Sequence, residues 1–463
     1  MKKLIAILLS AAFIVCAAGC GVETGTTKES GQTHAEHEGF AIMLARYPDQ
    51  AVYPNEEDFI GKDGIFDDEG WEKVYEPYSQ QTQERREALQ DYDGALDNYF
   101  KKAITTFLGG NDGENCICSP VNVFAATAML AEVTDGESRA QLLSALGIKD
   151  MEQLRALAAA IWTGTYQDDV AAKCLSANSF WLRDDMNYKE DTLQILRDKY
   201  YASAFAGKMS DPAYTKALQD WINEQTGGLL KEQAGGLELA PETICALVST
   251  LYFKGKWAEE FLSGQTASET FHAKSGDITY DFMHQSIEGT YFFGEKFGAI
   301  EKDFEGTDIS MWFILPDEGT DAEALLQDDE ALSFLIDRDK EGRENSKRLM
   351  INMAVPKFDV NSDLNLNEAF KKLGIENVFE LDRSDFSPLT DDTAVYLSQV
   401  KHAARVKIDE EGCEAAAFTA MMTCGAAMPP NEKIDFVLDR PFVFAITAGT
   451  AQLPLFVGVV NQP

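Results

Sequence analysis

The residues best suited to change state lie between positions 409 and 430, and they form no catalytic set. They read DEEGCEAAAFTAMMTCGAAMPP, and from Gly412 to Ala427 the one charge is Glu414. Every second residue from Cys413 (Ala415, Ala417, Thr419, Met421, Thr423) is uncharged and small or flexible, whereas the other parity holds Glu414, Ala416, Phe418, Ala420 and Met422. Side chains alternate between faces along a strand, so the first set can enter a sheet core while the second faces outward. Gly412, Gly425 and the Pro429-Pro430 pair equally suit an exposed loop. The alanine content alone would also allow a helix. A segment that fits both a loop and a central strand suits a conformational switch.

Catalytic chemistry has no local signature. The chain contains no G-x-S-x-G, H-E-x-x-H, C-x-x-C, Walker loop or glycine-rich dinucleotide turn. Of the five histidines, His34 and His37 fall in a polar stretch and His272, His284 and His402 stand alone. A Ser-His-Asp triad would have to be assembled from distant residues. Cys116 and Cys118 are too close for a mutual disulfide and make at most half a metal site. Cys245, in the apolar run 244–248, reads as a buried thiol. The expectation is a protein that is not an enzyme and uses no metal or cofactor.

Of the 463 residues, 77 are acidic and 40 basic, a net charge of −37 that argues against nucleic acid, polyanions and anionic lipid as partners. The N-terminus has a basic start, an apolar stretch over residues 4–18 and then Ala17-Ala18-Gly19-Cys20. This resembles a bacterial lipoprotein cleavage site, with residues 1–19 removed and Cys20 acylated; an ordinary secretory signal is the alternative. The expected address is the cell surface, reached through a lipid anchor, since no later stretch is long and apolar enough to span a bilayer. Mostly free thiols in an exported chain fit a reducing habitat.

Residues 20–91 read as a tether followed by an acidic, aromatic extension: 21–38 is polar, and Tyr47, Tyr53, Trp71, Tyr75 and Tyr78 crowd the segment after it, as if it packs on something. The globular part is expected from residue 92 to 463. Helical spacing recurs from Leu96 to Leu108, Ser119-Pro120 caps a helix over 121–133, and further helices follow at 142–146, 151–162, 188–200 and 214–225. The second half holds closely spaced strand candidates, with one helix at 366–373. Helices first and strands later indicate α+β rather than alternating βαβ.

Several stretches, in one order, resemble the serpin family: CSPVN at 118–122, DGESRAQL at 135–142, LVSTLYFKGKW at 247–257, VPKF at 355–358, LSQVKH at 397–402, EEGCEAAA at 410–417, RPFVF at 440–444 and FVGVVN at 456–461. The resemblance covers nearly everything from residue 92. It implies a serpin fold, helix-rich first and with three β-sheets, carrying an exposed reactive-centre loop that can insert as a strand. It also implies an inhibitor of serine proteases, with cysteine proteases as a second class. The protease cleaves the loop as a substrate, and insertion of the freed segment relieves a metastable state and traps the acyl-enzyme.

Carried over by position, the hinge comprises Glu410, Gly412, Cys413, Glu414, Ala415, Ala416 and Ala417, and the scissile bond is Ala426–Ala427. Alanine before the cut suits elastase-like or subtilisin-like proteases; Met422 is the alternative for a chymotrypsin-like one. Ser119, Asn122, Ser249 and His402 match the family's shutter, and Trp257, Lys357 and Glu410 match its breach, with a Lys357–Glu410 ion pair expected. Cys413 stands where threonine is usual, Phe418 is bulky, and Ser249 replaces a usual asparagine, which predicts a shorter-reaching hydrogen bond. Helix 151–162 lacks a basic cluster, so no heparin binding is expected. The expected partner is a protease bound by a monomer. A non-inhibitory surface binding protein of the same fold is the alternative.

Overall fold

The computed structural model describes residues 36–61, 64–90, 92–110, 113–169, 172–241, 243–336, 345–392, 395–398, 400–413, 432–449 and 451–463. Cys20, Glu414, Ala415, Ala416, Ala417, Ala426 and Ala427 lie outside these residues. The main helices are α1 (Asp68–Gln90), α2 (Asp97–Leu108), α3 (Pro120–Glu132), α4 (Gly136–Leu146), α5 (Met151–Thr165), α6 (Glu190–Tyr200) and α7 (Pro212–Gln225). Their starts follow local chemistry. Ser119 Oγ accepts from Asn122 N with Pro120 in the first turn, and Asp135, Asp150 and Asp211 cap α4, α5 and α7. Gly147 ends α4 in the left-handed region at φ 70°, which glycine adopts at little cost.

The first strands are β1 (Ala41–Met43), β2 (Cys116–Cys118), β3 (Gln167–Asp168), β4 (Ala172–Arg183), β5 (Ala202–Gly207) and β6 (Cys245–Lys256). Next come β7 (Ala267–Ala273), β8 (Gly276–Phe293), β9 (Phe297–Asp303), β10 (Ile309–Pro316), β11 (Ser346–Pro356) and β12 (Phe358–Asn365). The last are β13 (Lys401–Ile408), β14 (Gly412–Cys413), β15 (Lys433–Val437), β16 (Phe442–Ala448) and β17 (Leu453–Val460). They form two sheets: β1-β5-β4-β6-β14-β13-β12, with β3 on β4, and β15-β11-β8-β9-β10-β16-β17-β2, with β7 on β8. Three sheets were expected. The 18-residue β8 pairs in turn with β7, β11 and β9, joining strands that a shorter β8 would leave in separate sheets. The core fills the space between the sheets and around α3, which is buried on nearly every side because it carries no charge before Glu132.

Residues Glu36–Pro463 form one compact unit, which takes in part of the segment expected as an extension. Glu36–Phe40, which overlaps the end of the stretch read as a polar tether, forms a 3-10 turn in which His37 is buried edge-on against Phe205. Composition misses this because the partners lie far along the chain. β1 adds an edge strand to β5, pairing Ala41 with Phe205. Tyr47 stacks on Trp162, Tyr166 and Tyr201 with centroids 5.6–6.2 Å apart. Tyr53, Phe59, Phe66, Trp71, Tyr75 and Tyr78 form an aromatic cluster of their own. α1 then packs on α5, and Arg86 forms a bidentate bond to Asp308 at 2.6 and 2.9 Å.

Candidate functional site: the gap between β6 and β13

Two strands of the first sheet part at its centre. β14 pairs Gly412 with Lys256 and Cys413 with Gly255 on one side, and Cys413 with Ile408 on the other. Beyond Cys413, β6 and β13 pair with their outer neighbours β4 and β12, and among the described residues not with each other. At the level of Gly255 and Ile408, β6 and β13 are thus separated by one strand, β14. Cys413 is buried, and it is in register with the buried parity of β13: His402, Ala404, Val406 and Ile408.

At the top of the slot, the turn before β14 is fixed by a dense set of bonds. Asp409 accepts from the Trp257 indole N–H at 3.0 Å, Glu411 from Trp257 N at 2.9 Å and Glu410 from Phe261 N at 3.0 Å, all through backbone carbonyls. The Asp409 carboxylate accepts from Glu411 N and Gly412 N at 3.0 and 3.3 Å. Lys357 Nζ lies 2.8 Å from Glu410 Oε1, which also accepts from Thr266 Oγ1 at 2.7 Å. Burial alone would raise the Glu410 carboxyl; the bonds from Lys357 and Thr266 outweigh it and hold the group below the usual carboxylate range. Trp257, Lys357 and Glu410 therefore converge on one corner, joined by Thr266 and Asp409, which sequence reasoning did not single out.

Lower in the slot, Ser119, Asn122, Ser249 and His402 also meet. Ser119 N donates to His402 Nε2 at 2.9 Å, tying the start of α3 to β13. The Asn122 amide meets Ser249 Oγ at 2.7 Å, and Ser249 Oγ donates to Asn178 Oδ1 at 2.7 Å. Asn178 Nδ2 donates to the Tyr200 carbonyl at 2.8 Å. The short serine is thus a bridge from α3 through β6 to β4, and Asn178 is the member missed. It is the one side-chain amide in β4, where a buried polar group must find a partner. A cavity of about 30 Å³ lies beside these groups, lined among others by Asn122, Leu247, Ser249, Phe370 and His402.

His402 gives this arrangement a pH dependence. A backbone N–H can only donate, so Nε2 must accept and the ring is neutral. Burial pushes its pKa down to about 4. The unfolded chain titrates near 6.5, so between these values it binds the proton that the folded chain refuses. Stability is complete above about pH 6.5 and falls as pH drops toward 4, by about 2–3 kcal/mol at pH 4.5. Denaturation midpoints at pH 7 and 4.5 should differ more in the native sequence than in His402→Gln; equal differences would count against this role.

The comparisons agree with this geometry. Residues 99–463 match the family model described as serpin (serine protease inhibitor). An uncharacterized serpin-like protein of Thermococcus kodakarensis is 28% identical over 381 residues, covering 79% of this chain and 84% of its own. The leukocyte elastase inhibitor of Sus scrofa is 27% identical over 360 residues, covering 76% and 94%. The native-state crystal structure of tengpin, a thermophilic serpin, superposes with a TM-score of 0.72 at 26% identity, covering 81% of this chain and 95% of that one. With the family model spanning most of the chain and the slotted sheet in place, this protein belongs to the serpin family.

Proposed function

We propose that the protein inhibits serine proteases as a suicide substrate, by cleavage at Ala426–Ala427 and insertion of the freed segment between β6 and β13. The observation that carries this reading is the register of Gly412 and Cys413. Continued down the slot, it brings Ala415 level with Phe253 and Val406, Ala417 with Leu251 and Ala404, and Thr419 with Ser249 and His402. The parity that would enter the core is the uncharged one, so insertion buries no charge, which would otherwise cost several kcal/mol. In this reading Glu410 and Gly412 to Ala417 are the hinge, Trp257, Lys357 and Glu410 guard the first step, and the Ser119–Asn122–Ser249–His402 group is where the strands part. Alanine at the cut favours an elastase-like or subtilisin-like protease bound by a monomer, and three relatives have leukocyte elastase inhibitor in their names.

Mixing the mature protein with an elastase-like protease should give a covalent band that survives denaturation, with new chain ends at Ala426 and Ala427 by mass spectrometry. Cleavage with no covalent band across elastase-like and subtilisin-like proteases would sink the proposal. We further propose that Cys20 carries the lipid that holds the protein at the cell surface. Cys20→Ser should then move the protein from the membrane to the soluble fraction; unchanged partitioning would refute the anchor.

A further inference from the structure

Lys302, on β9, is a buried cation that forms no ion pair among the described residues. It is 4% exposed, and its ammonium donates to the Glu259 carbonyl at 2.6 Å and to Gln285 Oε1 of β8 at 2.8 Å. It also lies over two rings, 5.4 Å from the centre of Trp257 and 4.6 Å from that of Phe261. Glu259 and Asp303 act on it only through space, Glu260 is 3.9 Å from Lys256, and the residue across on β10 is Met311. Burial pushes its pKa down to about 8, so the charge persists at neutral pH. A cation kept inside at that cost calls for a reason, since an apolar side chain of equal length would fill the space.

The reason lies in what the ammonium grips. The segment from Trp257 to Phe261 supplies the three donors that hold the successive carbonyls of Asp409, Glu410 and Glu411. Lys302 binds that segment from beneath by one carbonyl and both aromatic faces, and anchors it to β8 through Gln285. Dispersion would hold the two rings against β9 but would not fix their position along it; hydrogen bonds and cation–π contacts are directional.

We propose that Lys302 is a positioning residue for strand insertion, locking the 257–261 turn so that the pivot at residues 409–411 stays fixed while the chain beyond it enters the slot. This rests on the inhibitory reading for its consequence, but its geometry can be tested without a protease. In Lys302→Met, the Trp257 and Phe261 amides should lose protection from hydrogen exchange by about tenfold while β4 and the second sheet stay at native rates. With a protease, the association rate should hold and the stoichiometry of inhibition rise about threefold or more, because docking precedes insertion. Gln285→Ala removes both the acceptor for Lys302 and a 3.3 Å donor to the Glu260 carbonyl, whereas Gln285→Glu removes only the donor. Loosening of the same two amides in the first with native exchange in the second decides the matter if Lys302→Met does not fold, and equal loosening in both counts against Lys302. Native exchange at both amides overturns the proposal, and so does loss of protection throughout both sheets, which would make Lys302 a general core residue. Loosened amides in a protein that forms no covalent complex would leave the anchoring intact and remove the inhibitory reading instead.

Discussion

Gly412→Ala is expected to turn the protein from an inhibitor into a substrate. A Cβ at this position would sit 2.2 Å from the Gly255 carbonyl oxygen and 2.8 Å from Lys256 Cα, both backbone atoms of β6. Neither can move without disturbing the pairing of Gly255 with Ala172 on β4, so β14 must shift. Overpacking of this kind costs about 1–3 kcal/mol, and it falls on the residue pair from which the register of insertion is set. Cleavage near Ala426 depends on the loop beyond and should proceed at its native rate, while the yield of covalent complex drops by about tenfold or more, since a 1.4 kcal/mol change in the competition between insertion and hydrolysis is a factor of ten. Ala415→Arg should act in the same direction by different physics, placing an unpaired charge level with buried Val406 and Phe253. Native yields of complex from both variants would mean that the segment does not insert in this register.

Leu89→Ala is expected to cost about 2–4 kcal/mol. Leu89 is 2% exposed and fills a slot made by two glycines: a Cβ on Gly164 of α5 would lie 2.3 Å from its Cγ, and one on Gly449 would lie 2.8 Å from its Cδ1. Truncation leaves a void, where α1 meets both α5 and the turn after β16, that these elements cannot collapse to fill. Gly164→Ala alone should also destabilise, by driving Leu89 out. The double variant should be more stable than the two losses predict, because the new methyl occupies part of the space vacated; such coupling is what contact between two sites produces. The readout is the midpoint of the first unfolding transition. Strictly additive losses would show that α1 is not held to α5 through this contact.

Both substitutions sit where local and distant information diverge. The Ser119-Pro120 helix start is local cap chemistry, and it was legible because backbone geometry acts over a few residues. The motif order also located the Trp257–Lys357–Glu410 corner and the Ser119–Asn122–Ser249–His402 group, which the fold brings together. The role of Asn178, the support of Trp257 by Lys302 and the seating of Leu89 were not legible. Each depends on partners brought in by strand register: Asn178 and Ser249 are 71 residues apart, and Leu89 meets glycines on both α5 and the turn after β16.

The extension makes the same point at larger scale. Its aromatic density predicted that residues 40–78 pack against something, and nothing local could say what. Local order in the chain encoded where α3 begins and which residues alternate as a strand's would, and it held no local catalytic motif. Tertiary structure alone decided that Tyr47 stacks on Trp162, that β1 closes the edge of the slotted sheet, and that a lysine lies beneath the pivot of its loop. Propensity and patterning are properties of neighbours in the chain, whereas burial and pairing are properties of surfaces that come into existence only when distant segments meet.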